Sequence, residues 1–145
     1  MSRLPAEHRS AFAHFHKIDS RWNDNDVFGH VNNVVYYSYF DTAVNAFLIR
    51  EGVLDLQLSK IVGLVVETQC RYFSSIAFPD TIYVGLRLAH LGTSSIRYEV
   101  AVFRNDEDVA SAQGYFVHVY VDRATNRPVP MPQTLIDAAA LLKVQ

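Results

Sequence analysis

Residues 34–50 read VVYYSYFDTAVNAFLIR, and the fold turns on what this stretch is. Tyr36, Phe40, Ala43, Val44, Phe47 and Leu48 fall at i, i+4, i+7, i+8, i+11 and i+12. That spacing lines one face of an α-helix and no face of a strand, so it predicts a helix over about 33–51. Asn32 or Asn33 can cap its start by accepting a backbone N–H, and Gly52 marks its exit. The apolar face is broad, and it needs a partner.

The partners read as strands. Alternation runs through LVVETQCRYF (64–73), TIYVGLRLAHL (81–91), SSIRYEVAVF (94–103) and VASAQGYFVHVYV (109–121). In the first of these, Val66, Thr68, Cys70 and Tyr72 share one side, with Glu67, Gln69 and Arg71 on the other. In the last, Val117, Val119 and Val121 face one way. LGTSS (91–95) and RNDED (104–108) carry turn chemistry and predict hairpins. Upstream of the helix, FAHFHKIDSRW (12–22) reads as a first strand behind a loose polar lead-in at 1–10. After the Pro-rich stretch DRATNRPVPMP (122–132), a short final helix is predicted over 132–143.

The order is strand, long helix, then four strands in antiparallel succession. A single apolar helix among strands buries its face on a curved sheet wrapped around it. The expected class is therefore α+β: five antiparallel strands, one long central helix and a short C-terminal helix. Such a sheet has open edges that proteins cover or pair, so a homodimer or homotetramer is expected.

Composition bounds the rest. The chain has 145 residues, 50% hydrophobic and 19% charged, which suits one globular domain spanning 1–145. A net charge of −2 argues against nonspecific attraction to nucleic acid. Cys70 is the only cysteine, so no intramolecular disulfide forms, and it reads as a small apolar strand residue. MSRLPAEHRS has no apolar signal core, and no stretch approaches the roughly 18–20 apolar residues that span a bilayer. A cytoplasmic protein without membrane attachment is expected.

Polar hardware concentrates just ahead of the helix, in RWNDNDVFGHVNN (21–33). Read as a calcium loop from Asp24, the first, third and sixth positions fit through Asp24, Asp26 and Gly29. The fifth is Phe28 and the twelfth is Val35, where an acid or amide and a glutamate are needed, so calcium fails. Zinc lacks a third ligand beside His14 and His16. No G-x-S-x-G elbow supports a serine nucleophile. A carboxylate beside a helix N-terminus remains. First-turn N–H groups lack intrahelical partners and carry partial positive charge. Aimed at a carbonyl oxygen, they stabilise the charge that develops when that carbonyl is attacked. The upstream carboxylate can attack directly or deprotonate water. Gly29 leaves room for a close backbone approach. Acids and amides before a helix also serve plainly as caps, and that reading stands beside the catalytic one.

The chain resembles the hotdog-fold acyl-CoA thioesterases of the 4-hydroxybenzoyl-CoA thioesterase type. The likeness is carried by RWNDNDVFGHVNNVVYYSYF (21–40) and continues through VVETQCRYFSSIAFPDTIYVGLRLAHLGTSSIRYEV (65–100) and VHVYVDRATNRPVPMP (117–132). It implies that Asp26, the second acid of the acid-x-acid pair, is the catalytic carboxylate, as nucleophile or as general base. It implies a polarising backbone N–H four residues after the motif glycine, at Asn33, and His30 could orient water or substrate. An acyl pocket between subunits would draw on Tyr36, Tyr37, Phe40 and Tyr72. Some family members carry the acid on the central helix, which brings Asp41 into view, and Glu67 could support the site from its strand. Coenzyme A phosphates need cations or turn N–H groups, for which Arg71, Arg87, Arg97 and the turn Thr93, Ser94 and Ser95 are candidates. No metal or redox cofactor is implied, since coenzyme A is part of the substrate.

Two rivals are open. A hotdog hydratase would pair Asp24 or Asp26 with His30, but the hydratases' proline-containing motif is missing. A non-catalytic acyl-CoA or acyl-carrier binding module would gain nothing from a buried acid at Asp26.

Overall fold

The computed structural model describes residues 4–144. Its elements are β1 (His14–Asp19), α1 (Val35–Arg50), β2 (Ile61–Tyr72), β3 (Thr81–Leu91), β4 (Ser95–Arg104), β5 (Ala112–Asp122) and α2 (Gln133–Ala140). The strands form one antiparallel sheet in the order β1-β3-β4-β5-β2.

α1 buries the six side chains its periodicity selects, and Tyr39 with them. At roughly 2 kcal/mol for each large side chain removed from water, this face is the main tie between helix and sheet. It meets Ile82, Val84 and Leu86 of β3, Ile96, Tyr98, Val100 and Val102 of β4, and Phe116 and Tyr120 of β5. Gly52 ends the helix with φ +74°. Its N–H donates to Ile49 O at 3.1 Å and the Val53 N–H donates to Leu48 O at 2.9 Å, a paired closure that a left-handed residue makes possible.

Strand order departs from simple succession. β2 does not neighbour β3; it takes the far edge beside β5, with Ile61 opposite Asp122 and Tyr72 opposite Ala112. The hairpins β3-β4 and β4-β5 form a three-stranded core, and β1 adds to the free side of β3. With α1 lying across the sheet between them, β1 and β2 arrive at opposite edges.

Three local expectations also change, and the structure adds which side of β5 faces the helix. Along β5, Phe116, His118 and Tyr120 turn to the helix, while Val117 and Val119 sit half-exposed on the outer face and Val121 is buried. Alternation separates two sides without saying which one faces the helix, and here the rings fill that space. Val66 leaves the side of Thr68, Cys70 and Tyr72, because the register with β5 shifts between Val65 and Glu67. From residue 4 the lead-in is docked rather than loose; residues 1–3 lie outside the described residues. The Ala110 N–H donates to Glu7 O at 2.9 Å, the Arg9 N–H donates to Asp108 O at 3.0 Å, and Phe12 packs against Ala101, Phe103 and Ala110. The final helix closes at Ala140, short of the expected 143. Among the described residues, no helix is long and apolar enough to cross a membrane.

Candidate active site

The 21–33 loop folds as two successive structures. Its first half is built around Asp24, which is 1% exposed. One carboxylate oxygen, Oδ2, accepts the Arg21 backbone N–H at 2.8 Å and the Tyr39 hydroxyl at 2.9 Å. The other, Oδ1, meets Arg21 Nε at 3.1 Å and Nη2 at 3.0 Å. Such a carboxylate is fully occupied. Burial pushes the Tyr39 phenol up, and its bond to Asp24 adds to this, so Tyr39 stays a donor.

The second half is a tight turn. The Asp26 N–H donates to His30 O at 2.9 Å, and the Gly29 N–H donates to Asp26 O at 3.1 Å. Asp26 Oδ1 accepts the Phe28 N–H at 2.9 Å. Among the described residues no protein donor reaches Oδ2. Gly29 has φ +84°, and a Cβ built there would meet nothing within 4 Å. Its positive φ makes glycine the residue the backbone conformation of the turn calls for.

Asn32 shapes the approach to the helix, but neither Asn32 nor Asn33 is its N-cap: Val34 takes that position, with no side-chain cap bond. The Asn32 side-chain Oδ1 accepts the Val34 N–H at 3.0 Å, and its carbonyl accepts the Val35 N–H at 2.9 Å. Its own N–H donates to Asp24 O at 2.9 Å. The Asn33 N–H between them has no protein acceptor among the described residues. The Asn33 carbonyl is held by the Tyr72 hydroxyl at 2.9 Å.

Asp26, His30 and Asn33 line one cavity of about 450 Å³ with Tyr36 and Tyr72. Phe28, Val31, Phe73, Ser74 and Ser75 complete its wall. Tyr36 meets Tyr72 edge to face with ring centroids 4.9 Å apart, and burial pushes its phenol up to about 12. The cavity thus joins a carboxylate oxygen free of protein donors to a free N–H at the electropositive start of a helix, between aromatic walls. That combination can activate a nucleophile and stabilise an oxyanion.

Residues 20–139 match the family model of the thioesterase-like superfamily. The chain belongs to this superfamily. Membership makes it a thioester hydrolase. Among solved structures it is similar to the PA5185 protein of Pseudomonas aeruginosa strain PAO1, with 51% identity, 97% of this chain and 99% of that one covered, and a TM-score of 0.95. A thioesterase from Thermus thermophilus, complexed with coenzyme A and Zn, shares 33% identity over 90% of this chain and 95% of that one, with a TM-score of 0.74. The 1,4-dihydroxy-2-naphthoyl-CoA thioesterase Slr0204 of Synechocystis, 17% identical with a TM-score of 0.78, covers 87% of this chain and 94% of its own and shares the fold. Together they identify the five strands wrapped on α1 as the hotdog fold of the thioesterases.

The thioesterase keeps its other candidate residues elsewhere. Phe40 is sealed in the core, and Tyr37 packs on it with centroids 6.1 Å apart; neither lines the cavity. Asp41 is exposed, and its Oδ1 accepts the Asn45 amide at 3.0 Å. Glu67 accepts the Tyr115 hydroxyl on the outer face of the sheet. Arg71 and Arg97 share a second cavity there, of about 380 Å³, with Glu7, Gln69, Glu99 and Gln113. Arg97 stacks 3.8 Å above the Tyr115 ring. Arg87 is committed: it pairs with Glu7 at 2.7 Å and Glu99 at 3.2 Å and lies 4.5 Å over Phe12. The turn with Thr93, Ser94 and Ser95 lies at the opposite end of the strands from Tyr72. Ser95 aligns through Val119 with Leu64, eight residues before Tyr72. At about 3.3 Å per residue that is roughly 26 Å.

Of the cavity residues that sequence reading missed, Phe28 and Val31 lie in the loop itself, and Phe73, Ser74 and Ser75 directly follow β2. For the last three the only signal was position after Tyr72, and the sheet register brings that strand end to the helix start.

Proposed function

We propose that this thioesterase hydrolyses an acyl-CoA: acyl-S-CoA and water give a carboxylic acid and CoA-SH. Asp26 drives attack on the thioester carbon, and the Asn33 N–H accepts the charge that develops on the carbonyl oxygen. The observation that carries this reading is that Asp26 and Asn33 line one cavity, and that among the described residues Asp26 Oδ2 has no protein donor and the Asn33 N–H no protein acceptor. As nucleophile, Asp26 forms an acyl anhydride, expels the thiolate and is released by water. As general base, it takes a proton from water, which attacks the carbonyl directly. Acyl–Asp26 trapped by rapid quench marks the first route, and turnover with no adduct marks the second. His30, on the same wall, orients the water. The chemistry calls on no metal or redox cofactor.

The occupied assembly we propose is a homodimer, alone or paired into a tetramer, with β2 as the joining edge. β2 is a twelve-residue edge strand bearing the exposed Leu64, Val65 and Val66. Pairing two such edges antiparallel along their length sets residue 61 of one copy opposite residue 72 of the other. A second copy then carries its Thr93, Ser94 and Ser95 turn toward the Asp26 end, closing the acyl pocket between subunits. Val27 and Phe28, 93% and 81% exposed beside the cavity, supply apolar surface for that closure. Arg71 and Arg97 are the cations we assign to the coenzyme A phosphates, with Glu67 as a neighbour that orders the same face through Tyr115. A cytoplasmic setting suits Cys70, whose thiol burial pushes up to about 11 and so keeps unreactive.

A thiol-release assay across short, long and aromatic acyl-CoAs tests the reaction. Release from at least one, strongly lowered in Asp26→Asn, is expected; no release from any overturns it. Arg71→Ala should raise KM several-fold and leave kcat unchanged. Sedimentation showing a monomer at catalytic concentration would remove the shared pocket.

A further inference from the structure

We infer that Asp24 is a positioning residue: its hydrogen bond from Tyr39 ties α1 to the loop and thereby sets the direction of the Asn33 N–H. The inference rests on the proposal above that this N–H polarises the thioester. Asp24 does far more than a turn acid requires. A carboxylate this deeply buried is tolerated only when its acceptors are filled, and four donor contacts fill them. Three of the four come from Arg21, next to it in the loop. The fourth, the Tyr39 hydroxyl, reaches across from the helix and is the side-chain bond that joins the two.

From there the tie runs along the backbone. Asp24 O receives the Asn32 N–H. The Asn32 carbonyl receives the Val35 N–H and its side chain receives the Val34 N–H, so Asn32 is held on one side by the loop and on the other by the helix. The Tyr72 hydroxyl fixes the next carbonyl, that of Asn33, from β2. Among the described residues the Asn33 backbone N–H is left without an acceptor, and Asn33 lines the cavity. A rotation of a few tens of degrees would misalign that donor, and hydrogen bonds weaken steeply as they bend. Asp24 has a second effect through charge. Its carboxylate is matched by the Arg21 guanidinium, so it adds little field against a developing oxyanion and leaves Asp26 as the unpaired acid of the loop.

Tyr39→Phe keeps the ring in the core and deletes the tie. The expected result, per folded enzyme, is a fall in kcat of tenfold or more with KM within twofold, and faster exchange of the Asn32 amide while amides in the middle of α1 keep their protection. Asp24→Asn, which keeps shape and loses charge, should move kcat the same way. Two folded variants with wild-type kcat and wild-type Asn32 protection overturn the inference. If the wild-type protein cleaves no thioester, the proposed function fails separately. The exchange measurement then decides alone: faster Asn32 exchange in Tyr39→Phe supports the tie, and unchanged exchange overturns it.

Discussion

The two halves of the 21–33 loop carry one carboxylate each and treat it in opposite ways. Around Asp24 the chain supplies donors from the backbone, from Arg21 and from the core-facing Tyr39, and the acid is sealed from solvent. Around Asp26, among the described residues, it supplies a single N–H, from Phe28, and this acid lines a cavity. Both residues are aspartates in the same motif, so residue type alone does not assign the reacting group. What sets the two apart is the number of acceptors left over after folding.

This contrast predicts a separation of function from stability. Asp26→Asn should lower turnover by a factor on the order of a hundred or more, while leaving the urea midpoint close to wild type. Near-normal turnover would take Asp26 out of the mechanism. Asp24→Ala should do the reverse in stability: it strands the Tyr39 hydroxyl in the core and costs about 2–3 kcal/mol, read from denaturant unfolding. Equal stability losses for the two variants would erase the distinction between the halves.

A titrating group remote from both halves sharpens it further. His118 is buried under the sheet with no hydrogen-bond partner for Nδ1, and burial pushes it down to about 4 from the ordinary 6.5. Above 6.5 neither folded nor unfolded chain binds this proton, and stability is at its full value. As pH falls from 6.5 toward 4, the unfolded chain protonates first and stability drops by about 1 kcal/mol per pH unit, levelling below 4. His118→Leu should flatten that part of the curve without altering the Asp26 dependence of turnover. A slope that persists in the variant would place the pH-sensitive group elsewhere. The smallest effect belongs to the turn itself. Gly29→Ala should cost about 1 kcal/mol from its positive φ alone, since no neighbour obstructs the methyl. A much larger loss would mean that the second half of the loop is packed more tightly than its exposure indicates.

Much of the fold was legible in local pattern. The buried face of α1 and its stop at Gly52 follow from periodicity and left-handed backbone preference, while its start falls at Val35, past the expected asparagine cap. Hairpins at 91–95 and 104–108 follow from turn chemistry in the same way. The candidate site was legible in part: Asp26, His30, Asn33, Tyr36 and Tyr72 meet at one cavity. Phe40 and Tyr37 were drawn toward the cavity by sharing a helix with Tyr36, but the helix turns them into the core. Arg71 follows the opposite logic, since it is adjacent to Tyr72 in sequence and lies across the sheet from it by the alternation of a strand.

By itself, then, the amino-acid order determined one helix, its apolar stripe, the strands around it and an acid–glycine–amide loop at the helix start, because each depends on neighbours within about two turns of chain. Only the tertiary structure decided the edge position of β2, which side of β5 meets the helix, and which of the two aspartates is spent on the core. Those outcomes depend on partners far along the chain: Tyr39 fifteen residues beyond Asp24, and β5 some forty to sixty residues beyond β2. Burial and hydrogen-bond satisfaction are settled only when such partners meet.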